Sequence, residues 1–326
     1  MSEVDQPIRV VFGADEAYAL PAAVSIRSLL ENYKSTKPLE IYVVDGGMSS
    51  ESRRKLIDSC EGLPRMLAPR ASLEMPENEL GFPVAVGLRL EMPFLLPDHD
   101  KAIYLDSDIL VFDCISKLWD MPIPEEAPLA AVLSLVTPRG HRGLTKLGFS
   151  PTSLNFNSGV LVMNLKLLRA TIGRAYEIFK SEKLLLPDQD ALNLVYDKQW
   201  YQLPPRWNFQ QHFTFGMLGH ESAPWRLGGF FSEADAADMF ERPAIVHFAN
   251  IIKPWHRDAA NVPHADLWRK YALSGTWHRD AVDAYVQQST LDRVAAGVTK
   301  ELSAIMTGCA PKAVRELIEQ LRVPAS

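Results

Sequence analysis

The sequence predicts an α/β fold, a parallel sheet covered by helices on both faces. Two observations carry the prediction. Short β-branched apolar runs alternate with segments of helical periodicity through the first half of the chain. The first two runs each end in a short segment that holds glycine and an aspartate, Gly13-Ala14-Asp15 and Asp45-Gly46-Gly47. In open α/β sheets, ligands bind beyond the carboxyl ends of strands, so this half reads as a nucleotide-binding half-domain.

Residues 8–12 form the first strand and end in Gly13-Ala14-Asp15. Ala22, Ala23, Ile26, Leu29, Leu30 and Tyr33 then recur at helical spacing. A second strand over 39–44 ends in Asp45-Gly46-Gly47, and Ser49 and Ser50 are candidate caps for a helix reaching about residue 60. A helical stretch over 83–91 leads into a strand at 102–105, and a buried strand follows at 128–135. Residues 137–155 are Gly-rich, basic and polar, a long loop of the kind that often forms a lid. A strand over 160–163, a helix to about 180, a short helix over 188–196 and a last strand over 244–248 complete the sheet domain. Residues 204–232 are rich in Pro, Gly, His and aromatics and have little periodicity, and from about residue 266 the pattern is helical to the end. The expected organisation is a domain over 1–265 and a helical tail over 266–326.

Composition narrows the function. With 326 residues, 47% of them hydrophobic, the chain can bury a large core without staples. A net charge of −6 leaves no broad basic surface and argues against nucleic acid as a partner. Cys60, Cys114 and Cys309 are far apart and form no Cys-x-x-Cys pair, which argues against a disulfide scaffold or cysteine zinc site and fits a reducing compartment. Neither a signal peptide nor a stretch of the roughly 18 apolar residues that a membrane span needs is visible. A cytoplasmic protein is the expectation.

Three Asp-x-Asp patterns occur, at Asp98/Asp100, Asp106/Asp108 and Asp188/Asp190. Asp106-Ser107-Asp108 alone follows an apolar strand, Ala-Ile-Tyr-Leu, and precedes another apolar run, Ile-Leu-Val-Phe. Alternation points both carboxylates to one side of an extended backbone, where their burial is costly unless a cation sits between them. Asp98 and Asp100 sit in a Pro-Asp-His-Asp turn and read as solvated. His247 ends the run Ala-Ile-Val-His-Phe. Such a histidine is read as a packed core residue or as a ligand, and Lys253, placed to neutralise a phosphate, adds weight to the second reading. Two carboxylates, an imidazole and phosphate oxygens suit an octahedral ion; the imidazole favours Mn²⁺, with Mg²⁺ the alternative.

Five segments together are specific: Val11-Phe-Gly-Ala-Asp15-Glu-Ala-Tyr18, Tyr104-Leu-Asp-Ser-Asp-Ile-Leu-Val111, Asn157-Ser-Gly-Val-Leu-Val-Met-Asn-Leu165, Asp188-Gln-Asp-Ala-Leu-Asn193 and His247-Phe-Ala-Asn-Ile-Ile-Lys-Pro-Trp-His256. Through them the chain resembles glycosyltransferase family 8, the retaining group that includes bacterial lipopolysaccharide galactosyl- and glucosyltransferases and glycogenin. The resemblance implies a GT-A type fold, a Rossmann-like mixed sheet flanked by helices, and transfer of a hexose, galactose or glucose, from a UDP-sugar to a glycan or glycolipid. It implies that Asp15 binds the uracil or ribose and that Tyr18 stacks on the uracil. Asp106, Asp108 and His247 hold Mn²⁺, Ser107 joins the donor site, Lys253 contacts the diphosphate and Arg89 reaches the donor's sugar or phosphates. Asn157, Ser158, Asp188 and Gln189 line the hexose pocket, and Asp190 is catalytic or caps the helix that it opens. Two departures from the family pattern stand out. Ala17 replaces an asparagine of close bacterial relatives, and Asn250 stands where the family often has glycine and where the backbone passes the phosphate.

Retention through a covalent intermediate needs a carboxylate nucleophile. The residue expected at the reacting face, Gln189, is a neutral amide, so front-face attack is favoured, with Asp190 the alternative nucleophile. Other functions weighed are a nucleotidyltransferase, disfavoured because no Gly-rich phosphate loop follows the first strand, a self-glycosylating primer, and a sugar-nucleotide-binding protein without turnover. Trp207, His212, Phe215 and Trp225 are candidate acceptor-stacking or core residues. Residues 271–326 hold equal numbers of basic and acidic residues, so lipid attraction nearly vanishes and at most weak membrane association is expected. The apolar stripes of this tail pack on the protein itself or at a homodimer contact.

Overall fold

β1 (Ile8–Ala14) is buried on both faces, as a central parallel strand must be. Its Ile8, Val10 and Phe12 enter one core and its Val11 the other. The computed structural model describes residues 6–69, 84–134, 143–210, 231–249, 253–256, 259 and 262–288. β2 (Leu39–Asp45) and β4 (Lys101–Leu105) flank β1 in parallel, and β3 (Pro64–Leu67) lies parallel beyond β2. On the other side β7 (Phe156–Asn164) runs antiparallel to β4, β6 (Leu129–Leu133) antiparallel to β7, and the two-residue β8 (Tyr201–Gln202) pairs with β6. The order β3-β2-β1-β4-β7-β6-β8 makes the seven-stranded mixed α/β sheet of the GT-A type that the resemblance implies; the parallel sheet read from the strand–helix rhythm holds for β3, β2, β1 and β4, and the antiparallel β7 corrects the rest.

The chain leaves β1 toward β2 on one side and returns to β4 on the other, so the strand order reverses between β1 and β4. A crevice opens at such a switch point, at the carboxyl ends of the strands. Asp15 and Asp106 stand at those two ends. After β4 the chain crosses into a second sheet, β5 (Ile109–Val111), β10 (Ile245–His247) and β9 (Phe209–Gln210), in the order β5-β10-β9. The turn 106–108 is therefore the hinge between two sheets.

The helix α1 (Ala19–Asn32) holds that hinge. Ser25, Ser28 and Asn32 lie at helical spacing on the face toward β5. Ser25 Oγ lies 2.9 Å from the carbonyls of both Ser107 and Ile109. Ser28 Oγ accepts the N–H of Val111 at 2.9 Å, and Asn32 Nδ2 donates to the carbonyl of Val111 at 2.9 Å. α2 (Ser50–Ser59) starts as its sequence predicts, with Ser49 Oγ accepting the N–H of Ser52.

The described part of the tail consists of helices Ala265–Leu273 and Arg279–Gln288. It packs into the first core through Trp268, Tyr271, Ala272 and Val282. Trp255 stands between Tyr18, Trp268 and Tyr285, with ring centroids 5.8, 5.2 and 6.3 Å away. Tyr285 Oη donates to the carbonyl of Ala17 at 2.5 Å. The stripes beyond residue 288 lie outside the described residues.

Several boundaries differ from the sequence reading. β7 begins at Phe156, four residues before the expected strand, because Asn157-Ser158-Gly159 is buried strand, its polar side chains hydrogen-bonded to Gln189, Asn208, Arg89 and Asp188. The expected loop 137–155 contains a helical turn at 143–146, and its first part lies outside the described residues. The expected helix to residue 180 is two, Leu165–Thr171 and Gly173–Ser181. β3, β8 and β9 went unpredicted, since edge strands of two to four residues carry no periodicity.

Trp268 is fully buried. Trp268→Ala is expected to cost about 3–5 kcal/mol, read as a lowered urea midpoint; a loss below ~1 kcal/mol would show that the tail helix adds little to the core.

Candidate active site

The carboxylates of Asp106 and Asp108 leave β4 together, and His247 meets them from β10. The antiparallel register sets His247 opposite Ile109, and the N–H of Phe248 donates to the carbonyl of Asp108 at 2.9 Å. His247 Nε2 lies 3.3 Å from Asp108 Oδ1 and 3.6 Å from Asp106 Oδ2. One ligand atom from each of the three residues lies within 4.8 Å of the other two, a spacing that a single ion could bridge. Gly159 makes this approach feasible: a Cβ there would collide with His247 Cε1 and stand 2.7 Å from Asp106 Oδ2.

Two cations balance the carboxylates. Lys253 Nζ donates to Asp108 Oδ2 and to the carbonyl of Phe248, both at 2.6 Å. Burial alone would lift the Asp108 carboxyl, but Lys253 and His247 hold it well below the ordinary carboxylate range. Arg89, on the 3-10 helix Val84–Glu91, is buried rather than on the surface. Its Nη2 donates to Asp106 Oδ1 and its Nε pairs with Asp188 Oδ2, both at 2.8 Å. Its Nη1 donates to Ser158 Oγ at 2.6 Å, and the guanidinium lies 4.8 Å from the ring centroid of Tyr104, whose hydroxyl also donates to Asp106 Oδ1. One guanidinium thus serves two carboxylates. Burial, aided by Asp106, keeps the Asp188 carboxyl above its usual value despite Arg89.

The third wall is the first turn of α3 (Pro187–Val195), buried from Pro187 to Asn193. Proline at its first position pre-sets the helix. Asn193 docks the helix on β7: Oδ1 accepts the N–H of Phe156 at 2.9 Å, and Nδ2 donates to the Phe156 carbonyl at 3.0 Å. This brings Gln189 Oε1 within 3.1 Å of Asn157 Nδ2 and 3.2 Å of the Ser158 N–H, and Asp188 Oδ2 within 3.1 Å of Ser158 Oγ. Asp190 instead turns back, its Oδ2 accepting the N–H of Leu186 at 2.9 Å, which is the capping geometry.

At the β1 edge, Asp15 Oδ1 accepts the N–H of Tyr18 at 3.0 Å and caps the turn that presents Tyr18. Burial raises the Asp15 carboxyl against the Tyr18 N–H, which lowers it. The hydroxyl of Ser107 donates to the carbonyl of Gly13 at 2.8 Å, tying β4 to β1.

The sheet architecture, the switch point and this cluster agree with the match of residues 9–259 to the model of glycosyl transferase family 8. The chain belongs to that family. This glycosyltransferase is similar to General stress protein A of Bacillus subtilis (strain 168), 30% identical over 289 residues, which cover 84% of this chain and 96% of that one. It is also similar to the lipopolysaccharide 1,2-glucosyltransferase of Escherichia coli, 25% identical over 285 residues, covering 83% and 80% of the two chains. Among solved structures, the galactosyltransferase LgtC in complex with donor and acceptor sugar analogues matches it with a TM-score of 0.71 at 25% identity, over 85% of this chain and all of that one.

Asp15, Tyr18, Arg89, Asp106, Ser107, Asp108, Asn157, Ser158, Asp188, Gln189, His247 and Lys253 of the glycosyltransferase all stand around the carboxyl ends of β1 and β4 or on the α3 wall facing them. Asn250, His212, Phe215 and Trp225 lie outside the described residues. Of the two readings of Trp207, the structure shows the core one: it is 4% exposed, in the first core, with Arg206 over its ring. The sequence reading missed Tyr104, Gly159 and Asn208. Gly159 and Tyr104 lie inside the family segments. Asn208, after Trp207 in an irregular stretch, carried no signal. No helix among the described residues is long and apolar enough to cross a membrane.

Burial lifts the Asp190 carboxyl to about 7, against about 3.9 for an ordinary aspartate. Its folded value lies above its unfolded one, so this stability is full below about pH 4 and lost as pH rises through about 7. Asp190→Asn removes that loss and is expected to stabilise the enzyme at pH 8 relative to pH 5, by on the order of 2 kcal/mol. Urea midpoints at the two pH values check this; a variant less stable than the parent at pH 8 would contradict it.

Proposed function

We propose that this glycosyltransferase is an Mn²⁺-dependent retaining hexosyltransferase that moves galactose or glucose from a UDP-sugar to a glycan or glycolipid acceptor, lipopolysaccharide-type glycans among them. The observation that carries the reading is the Asp106, Asp108 and His247 cluster with Lys253 beside it, at the switch point of the sheet. The donor set fits the ion: two carboxylates and one imidazole converge, and Gly159 leaves the space that they need. When bound, the ion supplies a Lewis acid for the departing diphosphate.

The residues divide the work. Lys253 pairs with Asp108 and Arg89 with Asp106. A cation on those carboxylates leaves Lys253 for the diphosphate and Arg89 for the donor's phosphates or sugar. Asp15 and the Tyr18 ring take the base and ribose, with the Ser107 backbone beside them; Asn250, assigned to the phosphate by the resemblance, lies outside the described residues. Asn157, Ser158, Asp188 and Gln189 grip the hexose hydroxyls, where a mismatched epimer leaves buried polar groups unpaired. Gln189 is a pinned amide, with two hydrogen bonds on Oε1, and Asp190 is turned to the helix start. Both favour front-face attack, with a donor phosphate oxygen taking the acceptor's proton. Residues 1–265 form the catalytic domain, 266–326 the helical tail, and the site is a cytoplasmic one. The self-glycosylating alternative predicts a mass increase of the protein itself on incubation with donor.

Asp106→Ala, Asp108→Ala and His247→Ala are each expected to lower UDP release from UDP-galactose or UDP-glucose by at least ~100-fold with Mn²⁺ present, while circular dichroism stays unchanged. Near-normal turnover by His247→Ala would sink the three-ligand site. Asp188→Asn is expected to retain UDP binding by calorimetry and lose most turnover; loss of UDP binding as well would assign Asp188 to the nucleotide or to the fold.

A further inference from the structure

Asn208 is fully buried, and both ends of its amide are used. Oδ1 lies 2.9 Å from His247 Nδ1, and Nδ2 donates to Asn157 Oδ1 at 2.8 Å. Asn157 Oδ1 also accepts the N–H of Gly159 at 2.9 Å, and Asn157 Nδ2 donates to Gln189 Oε1, which accepts the N–H of Ser158. The two backbone N–H groups can only donate, and they fix every orientation in this chain. Gly159 N–H requires an oxygen at Asn157 Oδ1. That oxygen requires the NH₂ of Asn208 to face it, so the other end of Asn208 is the carbonyl. The carbonyl requires a proton on His247 Nδ1. The Nε2 lone pair of a neutral His247 ring therefore faces Asp106 and Asp108.

We propose that Asn208 is a positioning residue that sets the tautomer and ring plane of His247 for metal binding and links that ring, through Asn157, to Gln189 on the hexose side. The proposal rests on the metal reading above. Metal-bound histidines generally donate their second N–H to an oxygen acceptor, and losing it typically costs 10–100-fold in metal affinity. Asn208 is the group that does this here, and it sits on β9's flank, outside the five family segments.

The test uses the full chain and Mn²⁺ alone. In metal-free protein labelled with ¹⁵N-histidine, at a pH where the ring is neutral, the His247 resonance, assigned by its loss in His247→Ala, is expected to report an Nδ1–H tautomer. An Nε2–H tautomer in the unsubstituted protein overturns the proposal, whatever the variants do. Asn208→Leu removes the acceptor and is expected to weaken Mn²⁺ binding 10–100-fold, read by the free-Mn²⁺ paramagnetic resonance signal, and to shift His247 toward Nε2–H. Asn208→Asp keeps an acceptor, and is expected to keep the Nδ1–H tautomer and Mn²⁺ affinity while lowering kcat through the lost donor to Asn157. Loss of Mn²⁺ affinity in His247→Ala but not in Asn208→Leu refutes the role of Asn208 alone. Unchanged Mn²⁺ affinity in His247→Ala refutes the metal reading itself.

Discussion

Carboxylates crowded at a buried strand end repel one another, and the residues around Asp106, Asp108 and Asp188 are arranged against that repulsion. Arg89 spans Asp106 and Asp188, Lys253 takes Asp108, and Tyr104 and Ser158 donate from the sides. Neither cation is spare: Arg89 is 5% exposed and touches both acids at 2.8 Å. Breaking a buried charge pair by removing one partner leaves an uncompensated charge, at a typical cost of about 3–5 kcal/mol. The cluster is therefore balanced as a unit, and its parts come from five places in the chain.

The fold delivers those parts through strand ends and register rather than through loops. β1 and β4 run side by side and stop together, which sets Asp15 and Asp106 at one edge. The change of sheet after Asp108 lets β10 come antiparallel to β5 and carry His247 to the carboxylates. α1 contributes no charge to the cleft, yet Ser25, Ser28 and Asn32 hold the backbone on which the carboxylates ride. Donor atoms held by backbone register and buried hydrogen bonds are what preorganised electrostatics require.

Much of this was legible in the sequence, for a definite reason. Asp15, Asp106 and His247 each end an apolar run, and a polar group at such a place either faces a ligand or is paired. Asp188 and Gln189 open a helix after Pro187, a recognisable start signal. What stayed illegible depends on tertiary partners. Arg89 is marked only by the family resemblance; its own pattern carries no sign of the two acids that surround it. Asn157-Ser158-Gly159 looks like the end of a loop because buried strand seldom begins with three polar or small residues; their partners on α3, at Arg89 and at Asn208 satisfy them. Trp207 and Asn208 are neighbours in an aperiodic stretch, yet one fills core and the other lines the polar network.

That network has a consequence for how the two halves of the cleft relate. Asn157 accepts from Asn208 and Gly159 and donates to Gln189, so one side chain joins the group that holds His247 to the first turn of α3. Hydrogen-bonded side chains in a low-dielectric interior polarise one another, and contacting residues lose additivity. Substitutions at Asn157 and at His247 or Gln189 thus fall within one connected network, whereas Asp15 and Tyr18, on the β1 edge, share no hydrogen bond with it among the described residues. On the proposed function, the cleft divides into a base-binding edge carried by β1 and a coupled metal-and-sugar wall carried by β4, β7, α3 and β10. Binding energy gathered at the first can be spent on orientation at the second only through a donor that spans them.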